Sequence, residues 1–189
     1  FAEKGFAGTS LRNVIREAGV NIAAVHYHFG SKEELFIAVV RRVAQQIVTS
    51  QVEELSKYEN LEEPPSLENI LEAFYGPPLR IITQMGEAGV VRAQFMGRCR
   101  AEPFPIQQLS DKEFHESQRR FLDILQRALP NQTRTELTWK LDLAVAIIVR
   151  TANQIGQSDK VITGNSSEEI ETAIARLVKF VAQGMRNHD

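Results

Sequence analysis

Apolar positions recur along this chain at steps of three and four, the signature of helices that each bury one face. Leu11, Val14, Ile15 and Ala18 stand at i, i+3, i+4 and i+7. Thr9 precedes them as an N-cap, and Gly19 follows where a helix can end in a left-handed residue. A short helix is predicted from Asn21 to Phe29, closed by Gly30. Ser31-Lys32-Glu33-Glu34 then reads as a capping box, the serine oxygen serving the N–H three residues on. It opens a helix carrying Leu35, Val39, Val43, Ile47 and Leu55 on its inner face. After a polar stretch over 58–65, Ser66 caps a helix with Leu67, Ile70, Leu71 and Phe74 on one side. Gly76-Pro77-Pro78 predicts a kink or break in it, because proline lacks the N–H and crowds the preceding turn.

The second half follows the same rule. A helix over about 89–102 is stopped by Pro103 and Pro105, and another, carrying Phe114, Phe121, Leu122, Leu125 and Leu129, ends at Pro130. Thr133 to Glu136 is a second capping box, ahead of Leu137, Leu141, Val145, Ile148, Ala152 and Ile155. Ser166 to Glu169 is a third, ahead of Ile170, Ile174, Leu177, Val178 and Val181. No segment alternates as a strand does, and no repeat or low-complexity tract is present. The fold class is all-α.

Composition narrows the function. The 189 residues, 43% hydrophobic and 24% charged, suffice for one medium domain or a small one joined to a larger one. The single cysteine, Cys99, excludes an intrachain disulfide and points to a reducing, cytoplasmic setting. No apolar run reaches the length of a membrane span, so no membrane partner is expected. The chain starts at Phe1 with no signal peptide, which reads as a truncated N-terminus. The net charge of −2 hides an asymmetry: residues 1–48 hold six basic groups against four acidic ones. A positive front on a negative remainder suits a two-part molecule whose front meets an anion.

The stretch 9–35, TSLRNVIREAGVNIAAVHYHFGSKEEL, has the proportions of a helix-turn-helix about Ala18-Gly19-Val20. In that motif the second helix enters the major groove by its N-terminal residues, so small side chains must let the backbone approach. Asn21, Ala23 and Ala24 fit: an amide pairs with a base edge, and an alanine methyl packs on a thymine methyl. His26, Tyr27, His28 and Lys32 offer donors to flanking phosphates, and the amides opening the next helix add an anion site. Tyr27 divides evenly between a packed wedge and a phosphate contact; Phe29 reads as core. His26 and His28 as metal ligands are disfavoured, since side chains two apart on a helix diverge and no cysteine or carboxylate partner accompanies them.

Residues 1–36 resemble the DNA-binding domain of the tetracycline-repressor (TetR) family of bacterial transcriptional regulators. The run from Gly19 through Phe29 into Ser31-Lys32-Glu33-Glu34-Leu35-Phe36 carries the resemblance, with Thr9 ahead of it. It implies an N-terminal helix-turn-helix domain over 1–48, its first helix truncated, and a helical ligand-binding and dimerisation domain over 49–189. It implies that Thr9 and Lys32 contact phosphate, that Asn21, Ile22, Ala23 and Ala24 form the base-reading tip, and that Tyr27 and His28 touch backbone or flanking bases. The family commonly has tyrosine where His26 stands, so that contact departs from the pattern. The partners implied are a palindromic double-stranded operator, a small-molecule inducer and a second copy of the chain, whose last two helices pair in the homodimer.

In the second domain, Phe74, Tyr75, Met85, Phe95, Met96, Cys99, Phe114, Phe121 and Trp139 are candidates to line an inducer pocket, although core packing explains each one alone better. Gln94, Asn153 and Gln154 are better candidates, because polar groups among apolar neighbours need partners. The apolar stripes of the last two helices are expected to meet across a two-fold: Leu137, Leu141, Val145, Ile148 and Ala152 with Ile170, Ile174, Leu177, Val178 and Val181. No nucleophile–base arrangement, phosphate-cradling loop or metal motif is present, so no cofactor and no enzymatic activity are expected. The leading reading is a ligand-responsive regulator, a repressor; the rivals are a helical ligand carrier or adaptor without operator binding, and a small-molecule enzyme on a helical scaffold.

Overall fold

The computed structural model describes residues 1–152, 154 and 166–186; the side chains of Ile22 and Ala24 lie outside this set. Its helices are α1 Gly5–Gly8, α2 Leu11–Ala18, α3 Ile22–Phe29, α4 Lys32–Glu59, α5 Leu67–Gln84, α6 Glu87–Ala101, α7 Ile106–Asp111, α8 His115–Ala128, α9 Arg134–Ala152 and α10 Ser167–Arg186. A 3₁₀ turn, Lys112–Phe114, joins α7 to α8. Among the described residues every regular element is helical, as the three- and four-residue periodicity predicts. The short α7 is absent from the sequence reading because Pro103 and Pro105 mask a helix that starts directly after them.

Local chemistry sets most of the helix starts. Ser31, Ser66, Thr133 and Ser166 each accept, at 3.1–3.2 Å, from the main-chain N–H three residues ahead. At Ser166 the box is reciprocal: its N–H and hydroxyl both donate to Glu169.

α5 is the central helix, with α4, α6, α8, α9 and α10 packed against it. Its Ile70, Leu71, Tyr75 and Leu79 are inaccessible to solvent, as are Leu55 of α4, Leu125 of α8 and Leu137 of α9. Each such aliphatic side chain contributes about 1.5–3 kcal/mol by leaving water. The buried Tyr75 hydroxyl donates to Ala144 O of α9 at 2.9 Å, so the core's largest polar group is satisfied. α6 lies so close to α5 that a Cβ at Gly89 would fall 1.8 Å from Ile82 O; only glycine fits that crossing.

α5 does not break at its prolines: it runs continuously from Leu67 to Gln84. Pro78 cannot supply the N–H that Phe74 O would accept in an α-helix. Gln51 of α4 supplies it instead, Nε2 donating to Phe74 O at 2.8 Å in a buried setting. A side chain more than twenty residues upstream thus repairs the gap that the local sequence predicts.

A second, smaller core joins the N-terminal helices to the rest. Phe36, Val40 and Val43 of α4 and Phe95 and Cys99 of α6 are buried together, with Phe1, Phe6, Met96 and Ile106 against them. The Phe36 ring meets Phe1, Phe6 and Phe95 edge-on, centroids 5.3–5.8 Å apart. Polar ties surround it: Phe6 N–H donates to Glu102 Oε1 at 2.7 Å, Arg98 to Glu3 O at 2.6 Å, and Arg41 to both oxygens of Glu113. α4 belongs to both cores and crosses position 48 without interruption.

Candidate nucleic-acid interface

α2 and α3 form a compact pair. Gly19 takes φ +64°, a left-handed conformation that turns the chain sharply after α2, and Val20 N–H closes the turn on Ile15 O. α2 hides Ile15 and turns Arg12, Arg16 and Glu17 to solvent. Asn21 then caps α3: its Oδ1 accepts from Ala23 N–H at 2.8 Å. This fixes the carbamoyl group at the exposed tip and leaves Nδ2 as the donor it presents.

The rest of α3 is nearly all surface. Among its described side chains only Val25 and Phe29, one turn apart, are half-buried against the domain; Phe29 is less enclosed than a core reading predicts, since α3 lies at the domain's edge. Asn21, Ala23, His26, Tyr27 and His28 are exposed, Tyr27 to 86%, with its ring edge-on to His28 at 5.3 Å. Tyr27 is therefore no wedge within the chain. His26 Nδ1 lies 3.4 Å from Gly30 O and, as donor, serves the C-terminus of α3. Lys32, the first residue of α4, holds its ammonium 4.4 Å above the Phe6 ring, a cation–π contact that positions the charge beside α3. The side chains of Ile22 and Ala24 lie outside the described residues.

Thr9 is a correction. It is buried, and its hydroxyl donates to Gly5 O at 2.6 Å, so it faces no phosphate; Ser10, exposed, occupies the cap of α2. The two hydroxyls are adjacent, and one-residue placement of a cap is beyond what spacing alone fixes.

The charge pattern adds residues that the sequence reading passed over. Of the basic groups in 1–48, Arg41 pairs with Glu113, whereas Lys4, Arg12, Arg16, Lys32 and Arg42 form no salt bridge among the described residues. In the rest of the chain many cations are neutralised, including Arg80 by Glu72 and Glu171, Arg120 by Glu59 and Glu116, and Arg186 by Glu68. Most basic groups of 1–48 are thus unpaired, whereas about half of those described in the rest of the chain are paired; the charge asymmetry is the signal for it, and the α2 periodicity places Arg12 and Arg16 outward.

A second site lies between the larger core and α4, α6 and α7, a mostly apolar cavity of about 70 Å³. Phe74, Pro78, Met96, Phe114, Val145 and Ile148 are among its walls, with Gln51, Ser110, Ser117, Arg100 and Asp111 as polar points. Arg100 stands 3.7 Å from Asp111 and 3.8 Å from Asp142. Burial pushes the Asp111 carboxyl above its ordinary value, Arg100 opposes this, and Asp142 adds to it.

Of the predicted pocket residues, Phe74, Met96 and Phe114 line this cavity, and Tyr75 lies in the larger core. Phe121 stacks behind Phe74, centroids 4.4 Å apart, in the core. Phe95 and Cys99 lie in the smaller core instead, because α6 turns Ala93, Met96 and Arg100 to the cavity and those two to the other side. Met85 is half-buried at the C-cap of α5, Gln94 is exposed, and Trp139 is 59% exposed. Gln154 is half-buried beside Arg150, and Asn153 and Ile155 lie outside the described residues.

The predicted interface stripes are also corrected. Leu137, Leu141, Ile148, Ala152, Ile170, Ile174, Val178 and Val181 are buried within the protomer, and Val145 and Leu177 pack against the same core. A helix in a bundle spends its apolar stripe on its own chain first, and periodicity cannot tell that from an intermolecular seam. The large apolar residues that α9 and α10 leave exposed are Trp139, Leu143 and Phe180.

Two helices hinged on a left-handed glycine, the second exposed and flanked by unpaired cations, on a larger helical domain define a helix-turn-helix protein with an appended helical module. Comparison with known proteins agrees: the family model described as "Bacterial regulatory proteins, tetR family" matches residues 1–39, and "Tetracyclin repressor-like, C-terminal domain" matches residues 72–184. The chain belongs to the TetR family of bacterial transcriptional regulators. It is 30% identical over 70 residues to the HTH-type transcriptional regulator PksA of Bacillus subtilis, and 41% identical over 44 residues to the HTH-type transcriptional repressor AcnR of Corynebacterium efficiens. These matches cover 37% and 23% of this chain, and only 34% and 23% of the relatives. The fold extends further. A putative transcriptional regulator from Pseudomonas aeruginosa superposes over 97% of this chain and 83% of its own, with a TM-score of 0.64 at 13% identity. PfmR, a TetR family transcriptional regulator from Thermus thermophilus, covers 99% of this chain and 94% of its own, with a TM-score of 0.58 at 16% identity. Among the described residues no helix is long and apolar enough to cross a membrane.

Proposed function

We propose that this protein is a ligand-responsive transcriptional repressor of the cytoplasm that binds a two-fold symmetric operator as a homodimer. The observation that carries the reading is α3 itself, whose described side chains are exposed except for the half-buried Val25 and Phe29, small at Ala23, and set among Arg12, Arg16 and Lys32, which form no salt bridge among the described residues. In this reading residues 1–48 are the reading head and 49–189 the regulatory and dimerisation module. Asn21 Nδ2 and the Ala23 methyl meet base edges, with Ile22 and Ala24 beside them at the tip. Tyr27, His28, Lys32, Arg12 and Arg16 meet phosphates on either side, and His26 contributes a further donor. Two copies join through the faces bearing Trp139, Leu143 and Phe180, which sets the two α3 helices for successive major grooves about 34–36 Å apart. A molecule in the cavity favours a conformer with a different spacing and so releases the operator, to the extent of its differential affinity.

Selection of duplexes from a random pool with the full chain tests the reading. Recovery of an inverted repeat with half-sites one or a few helical turns apart supports it. Recovery of unrelated sequences at unchanged affinity contradicts it, and favours a ligand carrier built on the same fold.

A further inference from the structure

Gln51 is almost wholly removed from solvent, its relative exposure being 3%, yet only half of its amide is in use. Nε2 donates to Phe74 O, the carbonyl that Pro78 leaves without a helical donor. Among the described residues Oε1 accepts no hydrogen bond, and Gln51 is part of the cavity wall. Oε1 keeps a little accessible surface, unlike Arg120 Nε, which is sealed without a partner, so it is an open acceptor that a molecule in the cavity can use. The two serines of the lining have the same polarity. Ser110 has given its hydroxyl hydrogen to Gln107 O at 2.7 Å, and Ser117 has given its own to Phe114 O at 3.2 Å, so both offer lone pairs. Arg100 and Asp111 stand 3.7 Å apart with opposite charges, so an anion drawn to Arg100 also meets Asp111 and a cation drawn to Asp111 also meets Arg100, while most of the wall is apolar.

We propose that the cavity takes a small, uncharged, largely apolar alcohol or phenol whose hydroxyl donates to Gln51 Oε1. This inference rests on the ligand-responsive reading above and names the chemistry of its ligand. It also assigns Gln51 a second role. A hydroxyl bonded to Oε1 polarises the amide and strengthens the bond from Nε2 to Phe74 O, so the occupant fastens α4 to α5. α4 is the helix that runs on into the reading head, and the clasp sits where α5 passes its prolines.

The test is titration calorimetry of the full chain with 4-ethylphenol, ethylbenzene and 4-ethylbenzoate. The wild type should bind the phenol about tenfold more tightly than ethylbenzene, as one net hydrogen bond warrants, and the carboxylate most weakly. Gln51→Leu alone orphans Phe74 O and endangers folding, so it is paired with Pro78→Ala, which returns the helical N–H. The double variant should keep the thermal midpoint of wild type and bind the phenol and ethylbenzene equally. Equal binding of these two by wild type, a phenol preference that survives in the double variant, tighter binding of the carboxylate, or no binding of the phenol would each overturn the proposal. The titration contains no DNA, so its failure leaves operator binding standing, and failure of operator binding leaves the cavity's preference standing.

Discussion

The main-chain N–H of Phe6 donates to the Glu102 carboxylate at 2.7 Å, tying the first turn of the reading head to the end of α6 across 96 residues of sequence. α6 also faces the cavity through Met96 and Arg100, so one helix touches both sites. Glu102→Ala leaves that N–H partly buried without its acceptor, and unfolding by urea should show a loss of about 1–3 kcal/mol. Glu102→Gln keeps an acceptor oxygen and should lose less.

Lys32 and Thr9 separate the proposed phosphate contact from a structural one. Lys32→Ala should weaken binding to every duplex and lower the salt slope by about 1, with little change in stability. Thr9→Val removes the hydroxyl that serves Gly5 O. It should cost about 1 kcal/mol of stability and leave the salt slope unchanged.

Sedimentation distinguishes the exposed faces of α9 and α10 from their buried stripes. Leu143→Glu with Phe180→Glu should give folded monomers, since both side chains are exposed in the protomer. Leu137→Ala, at 0% exposure, should instead cost about 2–5 kcal/mol of protomer stability through the cavity it leaves.

Cys99 is flanked in sequence by Arg98 and Arg100, which suggests an acidic thiol, but the fold reverses this. Burial, with repulsion from Glu102 added, pushes the thiol from 9.0 up to about 12. The native protein should therefore resist alkylation at pH 8 and react once unfolded. A raised folded value means that the native state holds its proton after the unfolded chain has released it. This contribution is thus intact below pH 9 and is lost between pH 9 and 12; unfolding titrations should show stability falling there, with the buried Tyr75 hydroxyl, also pushed upward, adding to the fall.

Features decided within a few residues were legible in the sequence. The caps at Ser31, Thr133 and Ser166, the hinge at Gly19 and the exposure of Asn21, Ala23, His26, Tyr27 and His28 depend on neighbours one turn away. What the sequence hid depends on distant partners. α5 survives Pro78 because of Gln51, and of the two α6 candidates Met96 meets the cavity while Cys99 does not, because α6 serves two cores. The stripes of α9 and α10 are spent inside the protomer, which periodicity alone does not distinguish from an interface. At Thr9 the error was a single residue, enough to exchange a surface hydroxyl for a buried one.

The most direct test of the account is the ratio of affinities for a selected operator and a scrambled duplex of equal length, at one salt concentration, for wild type and Ala23→Glu. Ala23 is exposed at the tip of α3, so the substitution leaves the fold intact while placing a bulky carboxylate where the helix must approach the bases. The wild type should prefer the operator by at least about a thousandfold, and Ala23→Glu should bring the ratio close to one. A variant that keeps the wild-type ratio, or a wild type that binds both duplexes alike, would contradict the assignment of α3 as the reading helix.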